Sequence, residues 1–287
     1  MKVSFGMSLS MEKMQPNRRT VLVCAHDAGG ANLLYHWAIN AAKHINVEQR
    51  VFGPAIKIFN NQFKSNNDIR EVDAVLTGTG WQSSFELDCI AEAKTLGVKV
   101  YAYLDHWVNY VARFKALDTL VLPDGIWCAD ELARSEARRC TEFNALPVKI
   151  VGNYYWSSVR RELSLATEKT ILVVHEPVRG SLKKQESLLQ RFESCLALQG
   201  DSETIRFRPH PSGLDDFGKL QLKWLRNRFK TVVISEASLA QDLSESKWVI
   251  GYLSMVLPMA ASFGKKVSSF SKDELPDYMS QFGVKGV

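Results

Sequence analysis

The sequence predicts an α/β protein made of two Rossmann-like domains that face each other across a cleft. Three observations carry this. Short apolar runs alternate with helical patterns along the chain; several of those runs end in glycine, aspartate or histidine; and the alternation starts afresh at Thr170, after an aromatic stretch. Such alternation builds mostly parallel sheets, whose ligands bind outside the carboxyl ends of the strands. The 287 residues suffice for two domains of ~140 each.

Thr20–Ala25 (TVLVCA) is a continuous apolar run, suited to a strand buried on both faces. It breaks into His26-Asp27-Ala28-Gly29-Gly30-Ala31-Asn32 and a helical pattern over Leu33–His44, which aims a helix amino terminus at the ligand crevice. This is neither the GxGxxG fingerprint nor a P-loop. Val51-Phe52 reads as a short strand. Asp73–Thr77 is another, followed by Gly78-Thr79-Gly80 and a helix from Ser83 to Leu96 that Gly97 stops. Val98–Leu104 delivers Asp105-His106-Trp107, with Asn109, Tyr110 and Arg113 close behind. Thr119–Leu122 reads as a strand, Ala129–Arg139 as a helix and Val148–Val151 as a strand. A linker at Gly152–Trp156 divides the chain into a loose tail (residues 1–18), a first domain (19–155) and a second (156–287).

In the second half Thr170–His175 lands on Glu176-Pro177, and a helix covers Lys183–Leu198. Ile205-Arg206-Phe207-Arg208 has the period of a half-buried strand and runs into Pro209-His210-Pro211, where each proline favours extended backbone. A helix over Leu214–Arg228, a strand over Thr231–Ile234 and a helix over Ala237–Leu243 follow. Trp248–Ile250 then leads through Gly251-Tyr252-Leu253-Ser254 into a helix over Met255–Phe263, stopped by Gly264, and a last strand over Lys266–Ser269. Little chain remains after Val267 to cross back onto the first domain.

Hydrophobic and charged contents of 46% and 23% are those of an ordinary soluble globular protein. No apolar run approaches the ~20 residues of a membrane span, and Glu12, Lys13 and Gln15 break any signal-peptide core. Five scattered cysteines without a CxxC pair argue against a zinc site or a disulfide framework and fit a reducing cytoplasm. The net charge of +5 is modest. Arg160-Arg161, Lys183-Lys184 and the Lys219–Lys230 segment suit weak, charge-based contact with the inner-membrane surface rather than nucleic acid.

Arg208 and His210, held at a strand's carboxyl end, suit a phosphate: one is a permanent planar cation, the other a tunable donor. Ser254 reads as a helix N-cap, a place serine takes for structural reasons or to hold a phosphate at the dipole. Tyr252 packs, or walls the base or sugar. Glu176 fits two ribose hydroxyls or an exposed loop. Transfer to a hydroxyl needs a general base. Asp27 is favoured, before two glycines (Gly29, Gly30) that let an acceptor approach the backbone; His26 comes second and Asp105 third. His106, Tyr110 and Arg113 are candidate acceptor contacts, and Trp107 a stacking surface. No Asp-x-Asp pair occurs, so no metal or other cofactor is expected.

His210-Pro211 after a strand, and the block Ser238–Val267 with its Gly-Tyr-x-Ser and Gly-Lys-x-Val elements, resemble GT-B glycosyltransferases that use cytidine-activated donors. The relatives so indicated are bacterial sialyl- and polysialyltransferases, capsule Kdo transferases and teichoic-acid glycerophosphotransferases. In those families the His-Pro motif serves the donor phosphate, which implies Arg208, His210, Pro211, Tyr252, Ser254 and Glu176 on the donor side. The sialyltransferase acid motif is missing unless Asp27-Ala28-Gly29-Gly30 takes its place. The resemblance implies transfer of an ulosonic acid from a CMP-sugar to a glycan or lipid-linked glycan hydroxyl in capsule or lipopolysaccharide synthesis. A CDP-alditol phosphotransferase, a UDP-sugar GT-B enzyme or epimerase, and an inactive nucleotide-sugar-binding subunit stay open as alternatives.

Overall fold

The computed structural model describes residues 18–80, 83–117, 119–166, 168–178, 180–271 and 275–287. Of the expected tail, only Arg18 lies within them. The first half carries β1 (Thr20–Ala25), α1 (Ala28–Ala41), β2 (Asn46–Val51), α2 (Ala55–Phe59), β3 (Lys64–Ser65), β4 (Ala74–Thr77), α3 (Phe85–Thr95) and β5 (Lys99–Leu104). After these come β6 (Lys115–Ala116), β7 (Thr119–Leu120), β8 (Gly125–Cys128), α4 (Glu131–Arg138) and β9 (Val148–Ile150). α5 (Tyr154–Glu162) leads to the second half: β10 (Thr170–Val174), α6 (Leu182–Ala197), β11 (Thr204–Arg208), α7 (Asp216–Arg228) and β12 (Thr231–Ile234). The chain closes with α8 (Leu239–Glu245), β13 (Ser246–Gly251), α9 (Val256–Ser262), β14 (Val267–Ser269), α10 (Asp277–Gln281) and β15 (Lys285–Gly286).

The first sheet has the order β3-β2-β1-β4-β5-β8-β9 and the second β12-β11-β10-β13-β14-β15, with every neighbouring pair parallel. Each order reverses at its first strand, β1 beside β4 and β10 beside β13. A crevice opens at such a switch point because the flanking crossovers leave on opposite faces. The residues set there are His26-Asp27 and Gly78–Gly80 in one sheet, and Glu176 and Tyr252–Ser254 in the other. The strands earn these central places by burial: Leu22, Val23, Cys24 and Ala25 of β1, and Ile171, Leu172 and Val173 of β10, are fully buried. Side chains of Asp130, Asn153, Ser181, Asp215 and Ser238 cap α4 to α8 in turn, each satisfying an orphan amide.

The structure differs from expectation at three places. β2 spans Asn46–Val51 rather than Val51-Phe52. Its polar residues hid it: Gln49 accepts from Phe63 N–H at 3.1 Å, and Glu48 binds Lys64 and Asn66. Thr119-Leu120 pairs antiparallel with β6 in a small ribbon, and the sheet position passes to Gly125–Cys128. Gly125 fits closely there, since a Cβ would lie 3.1 Å from Pro147 Cγ. Thirdly, the chain after Val267 does cross back. Tyr278 of α10 stacks on Trp107 (5.1 Å between centroids), and Phe282 lies 5.0 Å from Trp107 and 5.5 Å from Trp156.

One apolar cluster consequently runs through both domains, from Trp107 and Phe114 to Leu172, Leu257 and Met279. α5 packs on both α1 and α8, so the expected boundary between residues 155 and 156 falls inside a helix shared by the two halves. No helix among the described residues is long and apolar enough to cross a membrane.

Candidate active site

A cleft of about 310 Å³ lies between the domains, where the two switch points face each other. Its first-domain wall is Asp27, Gly29, Pro54, Asp105, His106 and Asn109; its second-domain wall is Glu176, His210, Ser212 and Met255. A larger groove of about 680 Å³ runs along Lys64–Glu71 and past Glu92, Thr95 and Leu96. That groove sits where the chain enters β4 and β5, at the amino ends of the strands, so the smaller cleft is the candidate site.

Asp27 occupies the N-cap position of α1 but its side chain makes no cap bond. Its Oδ1 is instead 2.6 Å from His26 Nδ1. His26 stands behind Asp27 rather than in the cleft lining, with Nε2 against Gly53. A Cβ on Gly53 would come within 2.6 Å of that nitrogen, and its φ of +55° favours glycine in any case. Asp105 pairs with Arg113 at 3.0 Å, and its Oδ2 rests on the first turn of α1, where a Cβ on Gly29 would lie only 2.6 Å away. Gly29 thus admits the carboxylate to the helix's positive end.

His106 Nδ1 accepts from the Trp107 N–H at 3.1 Å, which places the ring proton on Nε2. Burial pushes its pKa down to about 4 against the opposing pull of Asp105, so at neutral pH it is an uncharged donor. His210 is alike. Its turn is closed by Gly213 N–H to the His210 carbonyl at 2.8 Å, and Nδ1 accepts from the Ser212 N–H at 3.1 Å. Burial, then His175, lowers its pKa. Glu176, half-buried at the end of β10, has its carboxyl on the Ser254 hydroxyl; burial outweighs that bond and pushes its pKa up to about 7. The walls therefore offer carboxylates at Asp27 and Asp105, neutral N–H donors at His106 and His210, and at Glu176 an acid that exchanges its proton near neutrality.

Several expected site residues are employed elsewhere. Arg208 does not line the cleft. The two-residue period of β11 puts it on the face of Arg206, where it donates to the fully buried Asp242 at 2.6 Å and to the Ala237 carbonyl at 2.9 Å. Tyr252 is buried and stacked on Phe270. Trp107 is 3% exposed, stacked on Tyr278, and gives its indole N–H to Asp130, so it offers no surface to a sugar. Tyr110 is buried too and its hydroxyl donates to the His106 carbonyl at 2.5 Å. Arg113 borders the cleft, but its guanidinium is committed to Asp105 and, at 2.6 Å, to the Thr79 carbonyl. Gly30 is buried beside Gly78, a helix–strand contact, and Pro211 is the exposed corner of the His210 turn. Ser254 stands one residue before Met255, the N-cap position of α9; its hydroxyl accepts from the Val256 N–H at 3.4 Å and also serves Glu176.

Glu86 was missed by sequence reasoning. It lies in the first turn of α3, where a carboxylate ordinarily just complements the helix dipole, yet its Oε1 accepts from the His26 N–H at 2.8 Å.

No protein-family model and no curated protein matches the sequence. Solved structures do match in fold. UDP-GlcNAc 2-epimerase from Neisseria meningitidis, bound to UDP-GlcNAc, has a TM-score of 0.70 at 11% identity over 93% of this chain and 86% of that one. The Methanocaldococcus jannaschii UDP-GlcNAc 2-epimerase, in complex with UDP-GlcNAc and UDP, has a TM-score of 0.66 at 11% identity over 93% and 88%. Phytolacca americana UGT2, complexed with UDP-2-fluoro-glucose and pterostilbene, has a TM-score of 0.53 at 12% identity over 89% and 80%. The chain has the GT-B fold. The expectation of a transferase taking an ulosonic acid from CMP is corrected by the same likeness, since the structures it resembles carry UDP and UDP-sugars.

Proposed function

We propose that the cleft binds a UDP-sugar and that the protein is an epimerase acting next to the anomeric carbon. The observation that carries the reading is the placement of acid–base groups on opposite walls: Glu176 from the second domain faces Asp27 and Asp105 from the first across a single cleft. Inverting the carbon next to the anomeric centre requires one group to take its proton, the electron pair expelling UDP from the anomeric carbon, and another to return a proton to the opposite face as UDP re-adds. A pair whose environments hold them in different protonation states suits that division. Asp27, backed by His26, is assigned as the base. Glu176, with its pKa near 7, is the acid, and the neutral N–H groups of His106 and His210 are donors to sugar or phosphate oxygens. The likeness to UDP-GlcNAc 2-epimerases over nine-tenths of the chain supports UDP-N-acetylglucosamine as the first substrate to try.

A second reading, sugar transfer, is favoured by one feature. Phe52 is 61% exposed beside Pro54 at the cleft mouth and stacks on Phe85 at 6.2 Å, a surface ready for an acceptor. Proton NMR of UDP-GlcNAc incubated with the protein in deuterated water separates the two. Epimerisation gives a second set of sugar signals with deuterium at the inverted carbon. Release of UDP without deuterium at that carbon, in the presence of acceptors, selects transfer. An unchanged substrate signal would remove both.

A further inference from the structure

Behind Asp27, away from the cleft, lies another carboxyl group. Glu86 is 3% exposed. Its Oε1 is held by the His26 N–H, while its Oε2 is buried and has no hydrogen-bond partner among the described residues. Gly80 explains where that oxygen faces. A Cβ on Gly80 would meet Asp27 Oδ2 at 2.7 Å and Glu86 Oε2 at 3.1 Å, so the missing side chain leaves a gap on which both carboxyl groups converge. An ionised Glu86 would be a buried anion with one unpaired oxygen beside a second anion. Retaining the proton is the cheaper state.

We propose that Glu86 is a positioning residue for Asp27: an uncharged carboxylic acid whose Oε1 fixes the His26 main chain and whose protonated Oε2 turns towards Asp27 across Gly80. Asp27 is then the single negative charge beside His26, and the proton it takes from substrate is not shared with a second ionised carboxylate. The ionisable groups around Glu86 are the His26 imidazole, the Asp27 carboxylate and the Cys24 thiol. Burial is the main cause raising its pKa; the His26 N–H opposes the rise and the Asp27 charge adds to it. The inference rests on the reading of the cleft as an acid–base site.

The test has two arms that need no nucleotide. Infrared difference spectra between the protein and its Glu86→Gln variant, both in a Glu176→Gln background so that Glu176 does not contribute, should show a protonated-carboxyl carbonyl band at neutral pH that the variant lacks. The His26 ring, titrated by NMR, should keep its midpoint in Glu86→Gln, a neutral isostere. It should move in Gly80→Ala, which fills the gap beside Asp27. In the otherwise unaltered enzyme, Glu86→Gln should hold kcat/KM within about threefold with the same pH profile, and Glu86→Ala should lower it about tenfold or more. Absence of the carbonyl band, or a Glu86→Gln variant that shifts the His26 midpoint and the acid limb of the profile, would mean that Glu86 carries charge and would overturn the proposal. Because the spectroscopic arms run without substrate, they fail separately from the functional reading.

Discussion

Replacing Glu176 by glutamine is expected to lower turnover of a UDP-sugar by ~10²–10⁴ while leaving nucleotide affinity near that of the wild type. Glutamine keeps the shape and can still bond the Ser254 hydroxyl, but it has no proton to give. In the wild type, activity that needs the protonated form should fall as pH rises through about 7, the Glu176 pKa; in the variant that limb should vanish. Stability moves with the same group. The folded pKa lies above the ordinary glutamate value, so the native state holds more protons than the unfolded chain between the two. Its contribution is fully present below the unfolded pKa and is lost as pH rises towards about 7. Glu176→Gln should therefore flatten the stability profile across that window. Denaturant titrations at a series of pH values check this, and an unchanged slope would mean that Glu176 is not the titrating group.

Asp242→Ala should be the most destabilising single change in the second domain, at ~3–5 kcal/mol. Asp242 is fully buried and accepts from Arg206 at 3.2 Å, from Arg208 at 2.6 Å and from the Ser235 hydroxyl at 2.7 Å. Removing it leaves Glu245 as the remaining carboxylate partner, on Arg206, and leaves Arg208 half-buried against a carbonyl. For a chain of this size the loss corresponds to a fall in Tm of roughly 5–8 °C. The result also bears on the corrected role of Arg208. Were that arginine a phosphate ligand, freeing it would tighten nucleotide binding. Stability should fall with no gain in UDP affinity, as read by thermal melts and calorimetric titration of the same variant.

The fold was readable because its signals are local. The apolar runs at Thr20–Ala25 and Thr170–Val174 are what strands buried on both faces require, and the helical patterns that follow them announce the alternation. β2 was obscured because Glu48 and Gln49 find polar partners across the sheet, something no local pattern shows. The return of Tyr278 and Phe282 onto Trp107 was hidden for the same reason, since only the folded chain brings residues so far apart in sequence together. At the site, strand ends pointed to Asp27, Asp105, His106, Glu176 and His210, which line one cleft in the structure. Side-chain commitments were not readable. The alternation of Ile205 and Phe207 with Arg206 and Arg208 was plain, and it already put Arg208 on the face away from Phe207. What it did not disclose was the Asp242 and Glu245 waiting on α8. Nor could it show Glu86, whose importance comes from the His26 N–H it holds and the space that Gly80 leaves.

Hydrogen–deuterium exchange with and without UDP-GlcNAc tests the central claim most directly, because it reports where the nucleotide-sugar sits. Binding in the cleft should protect residues 26–30 and 105–113 in the first domain together with 208–213 and 252–256 in the second. Protection confined to residues 64–71 and 92–96, around the larger groove, or no protection in either domain, would contradict it.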